Sequence, residues 1–253
     1  MLIDMHAHLW QPNPTDQMML DNKKDILYVC EAFGVDLVYV SSLGTVYPDE
    51  EEIRRLNDLT YGFMREEPSR IRGYCYLNPR HQNTVNELRR GVEEHGAAGV
   101  KLWVSTLCDD PLVYPIAEAC IGYDIPILVH AFHKAVGQHP FESLGVHVAA
   151  LARRYPEANI IMAHLGANCY RELRSVKDCR NVWADFSGSM FHNGDLAYAK
   201  DLLGADRLLF GSDMPGIGFH SSWGHLMSSQ LTEEEREQIG WKNADTLFGR
   251  RSW

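Results

Sequence analysis

Residues 1–10 read MLIDMHAHLW, a short apolar run that carries two histidines separated by one residue. Side chains of a strand alternate between its two faces, so residues i and i+2 point the same way. The sequence therefore predicts that His6 and His8 project together from the C-terminal end of a first strand, residues 2–6. Two adjacent imidazoles suit a divalent transition metal. Two histidines alone are weak support for a metal site, so the residues at the ends of the other strands must show whether one is present.

Further apolar runs follow, rich in Val, Ile and Leu and without polar alternation. Such runs are typical of strands buried on both faces in a parallel sheet covered by helices. The predicted strands are residues 2–6, 35–41, 71–77, 99–103, 125–130, 159–164, 182–186 and 208–212. The predicted helices are residues 21–33, 49–65, 84–95, 115–122, 141–155, 170–176, 195–203 and 232–248. The last of these starts with Thr232 and Glu235 at the spacing of a capping box.

This repeated alternation of strand and helix predicts an α/β fold, a (β/α)8 TIM barrel. A doubly wound open sheet also alternates, but no glycine-rich phosphate-binding fingerprint follows the first strand. A length of 253 residues suits one barrel, so we expect a single domain over residues 1–253.

Composition excludes several classes of function. No run of about 18 apolar residues is present, which argues against a membrane span. The first strand begins at Leu2 and leaves no room for a secretory signal. Six cysteines without C-x-x-C spacing are expected to be reduced and buried, which with the missing signal favours the cytoplasm. A net charge of −10 argues against binding to nucleic acid. A homo-oligomer is suggested only by analogy with other barrels.

The active site of such a barrel lies at the C-terminal ends of the strands. Metal-ligand side chains occupy several of these ends in addition to the first: Lys101 in GVKLW, His130 in ILVHAF, His164 in IIMAHLG and Asp213 in LLFGSDMP. A single histidine at a strand end is often a hydrogen-bonded structural residue. The same chemistry on strands one, five, six and eight is hard to explain as an accident, so the joint pattern predicts a metal site.

These residues, in this order on these strands, resemble the amidohydrolase superfamily of metal-dependent hydrolases. The stretches IDMHAHLW, MAHLGA, FGSDMPG and KNADTLFG are most similar to the amidohydrolase-related branch that includes aminocarboxymuconate-semialdehyde decarboxylase. The resemblance runs from Ile3 to Gly249 and is specific for the superfamily rather than for a substrate.

The resemblance implies a role for each matching residue. His6, His8, His130 and Asp213 match the ligands of one metal ion, zinc or another divalent transition metal, which activates a water molecule. Asp213 would act as general base and then general acid, and His164 would orient the water or act as a base in a decarboxylase-like variant.

Lys101 leaves two alternatives open. In two-metal members of the superfamily a lysine on strand four is carboxylated and bridges the metals, and His130 and His164 would then hold the second ion. In the single-metal branch the lysine remains an amine. We favour one metal because the flanking motifs match the single-metal branch better.

Other residues are weaker candidates for the pocket. Trp10 and Trp103 follow strand ends and could form its walls, and Asp185 resembles a family position that accepts a hydrogen bond from a ligand histidine. The candidates from loops and the short sixth helix are His133, His139, His192, His220, His225, Arg171 and Arg174. His95 and His147 are expected on the outer ring.

Three classes of function remain after this reading. The first is a metal-dependent hydrolase of a small-molecule amide, lactone or ester. The alternative is a non-oxidative decarboxylase of a small carboxylic acid that uses the same metal site. The third is a barrel that keeps its ligands but only binds a partner, which we disfavour because no ligand has been lost. No G-x-S-x-G elbow supports a serine nucleophile.

Overall fold

The structure is a computed structural model that describes residues 1–10, 16–188 and 192–249. Within these ranges it has eight strands, each parallel to the next in chain order. The strands are β1 (Ile3–Leu9), β2 (Leu37–Ser42), β3 (Ile71–Leu77), β4 (Gly99–Leu102), β5 (Ile127–Val129), β6 (Ile160–Met162), β7 (Val182–Asp185) and β8 (Leu208–Leu209). The predicted apolar runs are therefore the strands of one parallel sheet.

The sheet closes between β1 and the chain that follows β8. The backbone N–H of Met5 donates to the carbonyl of Phe210 at 3.1 Å, and that of His8 donates to the carbonyl of Met214 at 2.8 Å. The N–H of Asp213 donates to the carbonyl of His6 at 2.7 Å. These bonds join the last strand segment to the first, which confirms the predicted (β/α)8 barrel.

The helices lie between and after the strands. They are α1 (Asp16–Phe33), α2 (Glu50–Glu66), α3 (Thr84–His95), α4 (Tyr114–Tyr123), α5 (Gly145–Arg154), α6 (Cys169–Val176), α7 (Asp195–Leu203), α8 (Phe219–Ser228), α9 (Glu233–Glu237) and α10 (Asn243–Phe248). Among these, α2, α3, α4, α6 and α7 agree with the sequence prediction to within about two residues, whereas α1 begins at Asp16 instead of residue 21.

Three further helical regions differ from the prediction. Helix α8 was missed, because its weak helix formers follow a Pro- and Gly-rich loop. The predicted helix 232–248 has the capping box at Thr232, but a π-helical turn, Gln238–Lys242, separates α9 from α10. The predicted helix 141–155 begins only at Gly145, because Glu142 and Ser143 belong to the preceding loop, where Ser143 pairs with Ala131.

The inside of the barrel is apolar at the end opposite the predicted site. Tyr39 and Tyr74 point into the barrel, and Phe248 of α10 packs against both rings, at 4.1 and 6.1 Å between centroids. The hydroxyl of Tyr74 donates to the carbonyl of Met5 at 2.8 Å. This closed core leaves the C-terminal ends of the strands as the open end.

Strand β1 runs past its predicted end. His8 pairs with Ser41 of β2 and Leu9 with Ser42, so both histidines lie inside the strand rather than beyond it. The pairing register shifts between Asp4 and Ala7, but the prediction that the two histidines share one face holds, because their Nε2 atoms lie 3.1 Å apart. In the described parts of the chain, no helix has the length and apolar character needed to cross a membrane.

Candidate metal centre

His6, His8 and Asp213 bring three ligand atoms together at the C-terminal end of the barrel. Nε2 of His6 lies 3.1 Å from Nε2 of His8. Oδ1 of Asp213 lies 3.2 Å from Nε2 of His8 and 3.7 Å from Nε2 of His6. These atoms lie close enough together to hold one ion. The histidines are buried, whereas the carboxylate is 23% exposed.

Hydrogen bonds on the far side of each ring set the tautomer. Nδ1–H of His6 donates to Oδ2 of Asp185 at 3.0 Å. Nδ1 of His8 lies 3.2 Å from the carbonyl oxygen of Ser41, which only accepts, so this nitrogen carries the proton. Both Nε2 atoms therefore turn lone pairs toward each other. Two lone pairs at 3.1 Å repel unless a cation attracts both, so the donor set fits a metal ion.

Burial and neighbouring charge set the protonation states that a metal requires. Burial lowers the pKa of His6 well below its usual range and also lowers the pKa of His8. Burial alone would raise the pKa of Asp213, but the imidazoles of His8, His164 and His6 that surround its carboxylate hold it well below its usual range. The site thus offers neutral imidazoles and an ionised carboxylate, the forms that bind metal.

Lys101 lies on β4 and is 1% exposed. Its Nζ donates to Nε2 of His6 at 2.9 Å, the same lone pair that faces His8. Burial lowers the pKa of Lys101 to about 8. The amine therefore occupies the predicted position at the centre, where it competes with an ion for one lone pair of His6. Its role as a metal ligand stays a prediction.

His130 and His164 form the second half of the centre. Nδ1 of His130 lies 3.1 Å from Nε2 of His164. Nε2–H of His130 donates to Oε1 of Glu142 at 2.9 Å. Burial alone would raise the pKa of Glu142, but the hydrogen bonds from His130 and Lys134 lower it to about 2. Sequence analysis missed Glu142, because an acidic residue in a predicted helix gives no signal of such a contact.

The chain around His164 is held in an uncommon conformation. His164 has φ 62° and ψ 21°, a left-handed conformation in a residue that is not glycine. Its backbone N–H donates to Oδ1 of Asp185 at 3.1 Å, and its Nδ1–H donates to Oγ of Ser187 at 2.9 Å. Asp185 thus accepts hydrogen bonds from both His6 and His164, as expected of it; that either histidine binds a metal stays a prediction.

A cavity of about 280 Å³ opens onto these groups. Trp10, Trp103 and Phe132 line it, and the two indole rings meet edge to face at 6.5 Å. His8, Lys101, His130, His164 and Asp213 also line it, together with Lys134, His139 and Glu142. The site therefore combines a polar floor with aromatic walls, as predicted for the two tryptophans.

Most other histidine candidates lie away from the residues that line this cavity. His133 donates through Nδ1–H to Glu172 at 2.6 Å, and His192 pairs with Asp195 at 3.4 Å. Neither His220 nor His225 is among the described lining residues. Arg171 and Arg174 are likewise outside it. His139 is the one loop histidine of that set that the described part of the chain places at the cavity.

A closed parallel barrel with histidines and a carboxylate converging at its C-terminal end is typical of metal-dependent barrel enzymes. Residues 3–250 match the profile of the protein family described as Amidohydrolase. Because the match spans nearly the whole sequence, the chain belongs to the amidohydrolase family.

Proteins of known activity resemble this chain over most of its length. Gamma-resorcylate decarboxylase from Polaromonas sp. is 25% identical over 78% of this chain and 76% of the relative. Gamma-resorcylate decarboxylase from Rhizobium sp. is 24% identical over 91% of this chain and 88% of the relative. A solved dihydroxybenzoic acid decarboxylase from Polaromonas sp., with manganese and the inhibitor 2-nitroresorcinol bound, has a TM-score of 0.78 and 20% identity, covering 99% of this chain and 98% of that one.

The prediction that places hydrolysis of an amide, lactone or ester first is wrong. The relatives just described are decarboxylases, which agrees with the alternative prediction of a decarboxylase and not with the prediction of a hydrolase. The error has a physical cause: the His-x-His pair and its partners report a metal site, and one metal site on one fold serves several reactions. The resemblance to the amidohydrolase-related branch is confirmed.

Proposed function

We propose that this chain is a non-oxidative decarboxylase of a small carboxylic acid that depends on a divalent metal. The observation that carries the proposal is that the two relatives described above are decarboxylases and cover most of the chain. The cavity is consistent with this class, because its volume of about 280 Å³ admits one small molecule next to the ligand cluster.

We assign His6, His8, His130 and Asp213 as the residues that would hold one ion. The pair of facing Nε2 lone pairs on His6 and His8, with the Asp213 carboxylate beside them, supports three of these four residues. His130 is included because the resemblance to the amidohydrolase-related branch assigns it to the set; its Nδ1 lies 3.1 Å from Nε2 of His164. A set of three imidazoles and one carboxylate favours zinc among the common divalent ions. Manganese, which the Polaromonas structure contains, is the alternative.

A single ion is favoured over two by the hydrogen bonds around His6. A second cluster of ligand-type atoms, His6, His164 and Asp185, is present among the described residues. Its Asp185 carboxylate already accepts the Nδ1–H of His6 and the backbone N–H of His164. Those contacts make it a support for the rings rather than a second metal site.

Decarboxylation breaks the bond to the carboxyl carbon, releases CO2 and requires a proton on the carbon left behind. A bound divalent ion would supply positive charge close to oxygen atoms of the acid and stabilise the negative charge that develops as the bond breaks. We assign the proton transfer to Asp213, whose carboxylate is the most exposed of the proposed ligands at 23%: it would take a proton from solvent water and pass it to the carbon left behind. His164 is neutral at pH 7, because burial lowers its pKa to about 4, so its Nε2 can accept a hydrogen bond from a hydroxyl group of the acid.

The aromatic walls contribute by excluding water. Trp10, Trp103 and Phe132 surround the place where a charged carboxylate becomes neutral CO2. An apolar surrounding disfavours the charged reactant more than the neutral product, so it assists this step. Flat walls also suit a planar acid, and 2,6-dihydroxybenzoate is the first candidate because gamma-resorcylate is the acid in the names of both relatives.

The test is CO2 release from a panel of aromatic and unsaturated acids by protein loaded with zinc or manganese. Lactones and esters are run in parallel, and elemental analysis gives the metal content per chain. We expect CO2 with the matching decarboxylated product and about one metal per chain. Hydrolysis of a lactone without CO2 from any acid would refute the proposal. About two metals per chain would instead favour a carboxylated Lys101 that bridges them.

A further inference from the structure

Glu142 is a buried carboxylate next to the proposed metal centre, in the loop between β5 and α5. Its side chain is 2% exposed. Oε1 accepts a hydrogen bond from Nε2–H of His130 at 2.9 Å. Oε2 accepts hydrogen bonds from Nζ of Lys134 at 2.9 Å and from Nε2 of Gln138 at 3.0 Å. The carboxylate is thus held from both sides, and one of its partners is a proposed ligand.

The contact decides which nitrogen of His130 can bind a metal. An ionised carboxylate only accepts hydrogen bonds, so Nε2 of His130 carries the ring proton and Nδ1 carries the lone pair. That Nδ1 lies 3.1 Å from Nε2 of His164. Nδ1 of His164 lies 3.3 Å from the carbonyl of Ser187, so His164 also turns a lone pair into the cavity. Without Glu142, His130 would be free to move its proton to Nδ1 and could no longer bind an ion there.

We propose that Glu142 is the positioning residue that fixes the tautomer and ring orientation of His130 and thereby sets the metal affinity of the centre. The inference rests on the metal centre proposed above, but not on which acid the enzyme decarboxylates. Groups that orient a ligand histidine typically change metal affinity by about 10–100-fold when they are replaced.

The chain contains a matched control in Glu172. Its side chain is 3% exposed, and its Oε1 accepts the Nδ1–H of His133 at 2.6 Å. Its Oε2 accepts the backbone N–H of Gly145 at 2.6 Å. Glu172 thus holds an imidazole of the same loop with a buried carboxylate, but His133 does not line the cavity among the described residues. Glu172→Gln removes a similar charge and a similar contact without reaching the centre.

The experiment measures the Kd for zinc by competition with a chromophoric chelator in wild type, Glu142→Gln and Glu172→Gln. We expect Glu142→Gln to weaken zinc binding by about 10–100-fold and Glu172→Gln to leave it within about twofold. Equal affinities in all three proteins, or equal losses in both variants, would overturn the inference while leaving the decarboxylase proposal intact. Failure of the wild type to bind any divalent ion would overturn both.

A second measurement needs no variant and applies if Glu142→Gln does not fold. Nitrogen-15 labelling of the histidines, followed by NMR of the metal-free protein, reports which ring nitrogen of His130 carries the proton. We expect the proton on Nε2, facing Glu142. A proton on Nδ1 would show that Glu142 does not set the tautomer, and the inference would fall.

Discussion

The absence of a side chain at Gly188 leaves room for the imidazole of His164, and Gly188→Ala tests this. Gly188 has φ +100°, a conformation that L side chains rarely adopt. A Cβ at this position would lie 2.8 Å from Nδ1 of His164 and 3.3 Å from its Cγ. Ordinary contact begins at 3.4 Å, so the imidazole would have to move by about 0.6 Å.

The imidazole cannot move freely. The His164 ring packs against the rings of His6, at 5.1 Å between centroids, and Phe132, at 5.5 Å. Its Nδ1 is also hydrogen-bonded to Ser187. Misplacement of a catalytic group by about 1 Å can cost about 100-fold in rate, so a shift of this size should lower kcat by roughly 10-fold or more. The unfavourable φ adds about 1–3 kcal/mol of lost stability.

Gly96→Ala separates the two effects. Gly96 ends α3 with φ +70°, and a Cβ there would meet nothing within 4 Å. Strain of about 1–2 kcal/mol is therefore expected, with no effect on the site. Each kcal/mol should lower Tm by about 2–4 °C in a protein of this size. Thermal melts and steady-state CO2 release are measured on both variants. If Gly188→Ala loses Tm but keeps kcat within about twofold, the placement of His164 next to Gly188 does not matter for catalysis and the reasoning fails.

Three further predictions follow from the same contacts. Asp213→Asn keeps a side chain that can bind metal but loses the carboxylate, so the variant should retain its metal by elemental analysis while CO2 release disappears; surviving turnover would disprove the role of Asp213. Removal of metal by a chelator should abolish activity and lower Tm, because an ion at 100 times its Kd stabilises the fold by about 2.7 kcal/mol, and re-addition of zinc or manganese should reverse both. Burial raises the pKa of the Cys30 thiol to about 11 and those of Cys75 and Cys108 to about 12, and all six cysteines are buried. A thiol reagent at pH 8 should therefore label fewer than one thiol in the native chain and all six after unfolding. Rapid labelling of the native chain would contradict this burial.

The barrel and the members of the site could be predicted because both depend on short-range patterns. A strand repeats every two residues, so the spacing of His6 and His8 alone places them on one face. Residues at the ends of parallel strands meet at one end of the barrel wherever they fall in the sequence. Lys101, His130, His164 and Asp213 line one cavity, and which of them bind a metal stays a prediction.

The contacts that tune these residues could not be predicted. Glu142 falls in a stretch that reads as the start of a helix, and its contact with His130 depends on where that helix actually begins. The reaction class was also out of reach, because it depends on the pocket walls and on proton geometry rather than on the ligands. That limit explains why the hydrolase prediction failed while the fold and the family were correct.

The backbone around the site shows where this sequence departs from its own local preferences. His164 and Asp213 both have φ 62°, a conformation that costs about 1–2 kcal/mol in residues other than glycine. Hydrogen bonds compensate: the N–H of Asp213 donates to the His6 carbonyl at 2.7 Å, and that of Ala167 donates to the His164 carbonyl at 2.7 Å. Each turn swings its side chain from the strand end into the cavity. Strained residues that persist in a well-packed core are typical of functional sites. His164 and Asp213, the two residues that we assign to the chemistry, are thus the ones in the centre that have this strained backbone conformation. The spacing of residues in the sequence does not reveal this strain.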